Sequence, residues 1–159
     1  HGPAYYKRSP EAIKQFKPEC KSSALQNCPV DQIVNGYDNS VLYADHFVSK
    51  TVQWLQSQNR PTALMYLSDH GESLGESGLY LHGMPYRMAP REQKHVPMLA
   101  WLSKPMQQQR GWRMDCLQAQ ADKSWSHDSL FHSMLDLSQV GTGLAKPELN
   151  VFGACAAGR

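Results

Sequence analysis

The chain has 159 residues, with 16 Lys+Arg against 14 Asp+Glu, a formal charge of +2 and a pI near 8.4. That length suffices to bury one core, so a single domain is the default. Basic and acidic residues are interspersed, which argues against a nucleic-acid-binding stripe, and no run of about 20 apolar residues is present to span a bilayer.

Taken in chain order, His1-Gly2-Pro3 reads as the exit from a preceding strand, and Tyr5 to Arg8 as a loop. A short helix is predicted from Pro10 to Phe16. Cys20 and Cys28 then flank KSSALQN, a polar loop with no metal-ligand spacing and no nearby histidine. A long helix follows from Pro29, a residue favoured in a first turn, to about Gln58. Its stripe of Ile33, Tyr37, Val41, Ala44, Val48, Val52 and Leu55 is expected to face a sheet, with Gly36 a weak point. Thr62–Ser68 is predicted as a buried strand, and helix followed by strand is half of a βαβ crossover.

Ser68-Asp69-His70-Gly71 breaks that strand with a carboxylate, an imidazole and a glycine, and His82-Gly83 follows twelve residues after His70. In open α/β sheets ligands gather beyond the carboxyl ends of strands. A carboxylate beside an imidazole offers the oxygen and nitrogen that zinc accepts. A capping aspartate with a satisfied histidine would use the same residues. Gly71 to Glu92 is irregular and glycine-rich, a pattern of functional loops. Val96 to Leu102 reads as a second strand with Pro97 near its start. Gln107 to Arg113 is polar and expected to be exposed. A last helix is expected from Ser126 to about Leu137, burying Leu130, Phe131, Met134 and Leu137. His127 and His132 are read as structural, and His46 as solvent-facing.

The wording of these segments is more specific than their spacing. HGPAYY at His1 to Tyr6, YDNS with Tyr43 and Asp45, SDHGESLGESGLYLHGMPY from Ser68 to Tyr86, HVPM from His95 and SHDSLFH from Ser126 stand in one order. Together they resemble the membrane-anchored phosphoethanolamine transferases that modify lipid A, including the transferable colistin-resistance enzymes. These belong to the alkaline-phosphatase/sulfatase superfamily. The resemblance covers almost the whole chain. It implies an α/β fold, part of an alkaline-phosphatase/sulfatase-like α/β/α sandwich, with residues 1–159 as the C-terminal part of one periplasmic catalytic domain. The N-terminal half and the membrane helices would precede it.

The resemblance also implies a chemistry. Asp69 and His70 would ligate Zn2+, with a glutamate and the nucleophilic threonine supplied upstream, because Glu72, Glu76 and Glu92 do not match the family's ligand glutamate. His1 and His82 match an outer pair that holds the phosphoryl group or a second metal, and the sequence leaves both roles open. Asp38, Asn39 and Asp45 correspond to structural positions, and Tyr5 to Arg8 would border the substrate cleft. The family carries a disulfide where Cys20 and Cys28 stand, consistent with the oxidising periplasm; whether Cys116 and Cys155 form a second bridge stays open. The donor would be phosphatidylethanolamine, the acceptor lipid A, and the location the periplasmic face of the bacterial inner membrane. A sulfatase, a phosphoglycerol transferase or an inactive metal-binding remnant are the alternatives. His1, Asp69, His70 and His82 are expected to converge, and the chain alone, lacking the nucleophile, is expected not to turn over.

Overall fold

A computed structural model describes residues 2–156. The chain divides into two compact units, His1–Gln53 with Ser68–Met98, and Trp54–Leu67 with Leu99–Arg159. Among the described residues, no helix is long and apolar enough to cross a membrane.

The first unit is built on helix α1 (Val30–Gln56), whose final turn passes into the second unit. Its core joins buried Tyr5, Cys20, Leu25 and Ile33 to the partly buried Cys28, Tyr37, Leu74, Tyr80 and Leu81. Burying apolar side chains of this size contributes about 1.5–3 kcal/mol each. Tyr5 meets Tyr37 edge to face at 5.7 Å between ring centroids. The expected weak point Gly36 has a packing role, since a Cβ there would meet the Tyr5 Cβ at 3.3 Å. The expected stripe is covered only in part: Ile33 is buried, Tyr37, Ala44, Val48, Val52 and Leu55 are half-covered, and Val41 is exposed.

No helix forms from Pro10 to Phe16; Pro10 to Lys14 make a turn. The segment is held by side chains instead. Asn39, fully buried, accepts from the Gln15 and Phe16 N–H groups at 2.9 and 3.0 Å. It donates to the Phe16 carbonyl at 2.8 Å and to Glu19 at 3.2 Å. Lys14 in turn donates to Glu19 at 2.7 Å and to the Tyr6 carbonyl at 2.6 Å. These bonds satisfy backbone groups that a helix would otherwise have used. The Cys20–Cys28 disulfide closes the loop between this segment and α1.

Strands β1 (Ala63–Leu67) and β4 (Met98–Leu102) are neighbours; β1 is one residue shorter at each end than the sequence suggested, and β4 starts two residues later and ends where expected. Ser103 donates to the Thr62 carbonyl beyond the far end of this pair, and the Ser103 hydroxyl accepts from Thr62 N–H. Two short helices follow, α3 (Lys104–Arg110), which takes in part of the Gln107 to Arg113 stretch expected to be exposed polar chain, and α4 (Met114–Gln120). Ser103 caps α3, and Gly111 ends it at φ 61°, a left-handed conformation glycine adopts without strain. A second disulfide, Cys116–Cys155, ties α4 to the C-terminal segment, where Trp112 stacks on Phe152 at 4.9 Å.

Helix α5 (Asp128–Leu137) reverses the expected orientation. Ser129, His132, Ser133 and Asp136 are buried, whereas Leu130, Phe131 and Met134 are exposed. Hydrogen bonding explains the reversal. His132 Nδ1 accepts from Lys146 N–H, Ser133 Oγ accepts from Val151 N–H, and Asp136 pairs with Arg110 and accepts from Asn150 Nδ2. The C-terminal segment leaves its backbone groups to be satisfied by this polar face. His132 is thus a hydrogen-bonding group, as expected, and His46 is solvent-facing.

Candidate metal centre

Beyond β1 the chain turns sharply. Asp69 Oδ1 accepts from His70 N–H at 3.1 Å, and the Ser68 hydroxyl donates to the His70 carbonyl at 2.8 Å. Gly71 N–H donates to the Gln93 carbonyl at 3.0 Å, in helix α2 (Arg91–Lys94). This approach is so close that a Cβ on residue 71 would lie 1.9 Å from the Glu92 carbonyl oxygen. Only glycine fits there.

A small hairpin then folds the chain back. Strand β2 (Ser73–Leu74) pairs antiparallel with β3 (Tyr80–Leu81), Ser73 opposite Leu81 and Leu74 opposite Tyr80. Continuing that register by one step sets Glu72 opposite His82. The tight connection is closed by Glu76, which accepts from Leu74 N–H at 2.7 Å, and by Gly75 and Gly78 at φ 128° and 75°. Leu81 itself sits at φ 66°, an uncommon conformation for a non-glycine residue, immediately before His82. Buried Gln93 braces the hairpin, donating to Ser73 Oγ at 2.9 Å and accepting from Met84 N–H.

The outcome is a three-donor cluster. His70, Glu72 and His82 each place one ligand atom within 4.8 Å of the others. The imidazole rings lie 3.8 Å apart between centroids, tilted by 31°. His70 Nδ1 lies 2.8 Å from the Gly71 carbonyl oxygen, which can only accept, so Nδ1 carries a proton and, in the neutral imidazole, the lone pair is on Nε2. His82 Nδ1 lies 3.3 Å from both Glu72 oxygens, which favours the same tautomer. A carboxylate behind an imidazole fixes the orientation of the ring. The Glu72 side chain is almost wholly buried, whereas His82 is about one-third exposed.

Tyr5 is a neighbour of Glu72. Its hydroxyl is buried without a hydrogen bond of ordinary geometry. Burial, and then the charge of the neighbouring Glu72, push its pKa well above the ordinary 10.0, so it stays a neutral phenol. Tyr5 is therefore a core residue against α1, while Lys7 and Arg8 of the same motif are exposed.

Of the residues singled out in the sequence, His70 and His82 are brought together. Asp69 is adjacent, its Oδ2 3.8 Å from His70 Nε2, but its side chain is largely exposed and it stands outside the three-donor cluster. His1 lies outside the described residues. His95 is exposed and its N–H donates to the Arg91 carbonyl. Glu72 is the member that family matching set aside, although it stands only two residues after His70. Two imidazoles and a carboxylate, partly open to solvent, form a donor set that suits zinc.

The sulfatase family profile matches residues 1–140. The phosphoethanolamine transferase EptA of Salmonella typhimurium is 52% identical over 145 residues, 89% of this chain and 26% of that protein. The Escherichia coli phosphatidylethanolamine transferase Mcr-1 is 40% identical over 142 residues, 88% of this chain and 25% of that protein. The chain thus spans about a quarter of the length of these curated relatives. In three dimensions it superposes on the soluble domain of the lipooligosaccharide phosphoethanolamine transferase A of Neisseria meningitidis with a TM-score of 0.94 at 40% identity. That match covers 98% of this chain and 48% of the other. The C-terminal periplasmic domain of EptC from Campylobacter jejuni matches with a TM-score of 0.87 at 39% identity, over 96% of this chain and 48% of that one. The architecture is accordingly that of a sulfatase-like, alkaline-phosphatase-superfamily domain, and this chain belongs to the sulfatase family.

Proposed function

We propose that this chain forms the C-terminal part of the periplasmic catalytic domain of a zinc-dependent phosphoethanolamine transferase. The enzyme would move phosphoethanolamine from phosphatidylethanolamine to lipid A at the inner membrane and thereby confer polymyxin tolerance. The observation that carries this is the convergence of His70, Glu72 and His82 within 4.8 Å in a chain aligned along 89% of its length with such a transferase. Bound zinc would neutralise charge on the transferring phosphoryl oxygens.

The chain's own residues have distinct parts in this reading. Asp69 Oδ2 and His70 Nε2, 3.8 Å apart, provide an oxygen and a nitrogen able to share one cation. His82, held by Glu72 and partly exposed, would offer Nε2 to a phosphoryl group or a second metal, a role that His1 would share. A protonated His82 would donate to a phosphoryl oxygen while keeping its ion pair to Glu72. The buried Gln93–Ser73 bond fixes the hairpin, so the phosphate need not order it. The nucleophile comes from outside these 159 residues, which makes the isolated chain inactive toward fluorescent phosphatidylethanolamine.

The test is a chimera in which this chain replaces the aligned segment of the Salmonella enzyme, read by mass spectrometry of lipid A. Phosphoethanolamine-modified lipid A is expected, and its loss in Asp69→Ala and His82→Ala. A well-expressed, membrane-inserted chimera that leaves lipid A unmodified would refute the assignment.

A further inference from the structure

The turn that follows His82 has a composition the catalytic proposal does not use. Pro85 to Ala89 forms a tight turn, with Met88 and Ala89 N–H groups donating to the Pro85 carbonyl at 2.8 and 2.9 Å. It is pinned from below by Ala89, 7% exposed, and Gln93, 6% exposed. Lys94 clasps its outer side, with Nζ 3.4 Å from the Tyr86 carbonyl and 5.2 Å from the Tyr86 ring centroid. Between these supports the turn projects Tyr86 and Met88, 79% and 69% exposed. An apolar pair held out in water by a buried scaffold costs solvation that a solvated loop would avoid.

The charges of this segment are mostly positive. Arg87, Arg91 and Lys94 are exposed beside it, against Glu92 alone. A tyrosine with an apolar ring and a polar tip, a flexible thioether and a cationic rim match a bilayer interface bearing anionic headgroups. We propose that the 85–94 turn is a peripheral docking element for an anionic membrane surface. Tyr86 and Met88 enter the headgroup boundary, and Arg87, Arg91 and Lys94 lie over lipid phosphates. Because the turn starts three residues after His82, docking holds the metal centre at the lipid surface, where a lipid-borne phosphate would be met.

The experiment is co-sedimentation of the purified chain with vesicles of phosphatidylcholine, with and without phosphatidylglycerol. Neither phosphatidylethanolamine nor lipid A is present, so the result is independent of any transferase activity. Binding is expected to phosphatidylglycerol-containing vesicles, to weaken with added salt, and to be marginal on phosphatidylcholine alone. Arg87→Gln and Arg91→Gln should each weaken it about fivefold, the effect of one basic residue near an anionic surface. Tyr86→Ser with Met88→Ser should abolish the salt-resistant part, and circular dichroism should show all variants folded. Absence of binding by folded wild-type chain, or equal binding by wild type and variants, overturns the proposal. So does self-association lost in the same variants, which would make the turn a protein contact.

Discussion

At the scale of single residues, the centre depends on one position whose side chain bears no metal-binding atom. Gly71 is required because the chain passes the Glu92 carbonyl at a distance no side chain permits. Gly71→Ala should push the His70–Glu72 turn away from α2 and weaken zinc binding about 10- to 100-fold, the range for lost support behind a ligand. Isothermal titration of the folded variant measures this, and unchanged affinity would show that the turn does not position the ligands. Titration of two core groups sets the alkaline limit. The hydrogen bond that Lys14 donates to Glu19 raises the Lys14 pKa above the ordinary 10.5, and burial raises that of Tyr5 above 10.0. Both folded-state values lie above the unfolded ones, so both contributions are complete below the ordinary values and fade as pH climbs through the folded ones. Stability measured by denaturant should be level until pH nears 10.0 and fall beyond it, less steeply in Tyr5→Phe.

At the scale of elements, buried polar links matter more than apolar faces. Asp136 of α5 pairs with Arg110, their side chains 6% and 10% exposed, and also accepts from Asn150. Asp136→Ala leaves a buried guanidinium without its carboxylate, and urea unfolding should show a loss of about 3–5 kcal/mol. Asp136→Asn, which can still accept, should lose less. The Cys20–Cys28 bridge joins residues eight apart. Its removal by paired Cys→Ser changes should cost about 2–3 kcal/mol on the chain-entropy estimate, with hydrogen exchange rising first between Pro18 and Pro29. These elements also show what the sequence made legible. Helix α1, the two apolar strands and the Asp69-His70 turn carry local signals, periodicity and a glycine stop, and they stand where expected. Helix α3 had its signals too, Ser103 as cap, Pro105 in the first turn and Gly111 at the end, but its polar interior obscured them. The orientation of α5 was not legible. Periodicity reports which face is apolar, whereas burial here follows the unsatisfied backbone of residues 146–151, far along the chain. Glu72 was hidden for a related reason: its pairing with His82 follows from hairpin register, which a motif match does not encode.

At the scale of the whole molecule, the inverted face of α5 has a calorimetric consequence. The heat-capacity increment of unfolding comes mainly from apolar surface newly wetted when the chain opens. Leu130, Phe131 and Met134 are already wet in the folded chain, and the interior beneath α5 is lined by Ser129, Ser133 and Asp136. Wetting polar groups lowers the increment instead of raising it. Scanning calorimetry should therefore return a value below the usual 12–15 cal/mol/K per residue, roughly, for globular chains. A value at or above that range would mean that the apolar face of α5 is covered in solution. A small increment flattens the curve of stability against temperature, so this chain should lose little stability on cooling and resist cold unfolding better than its modest apolar core suggests.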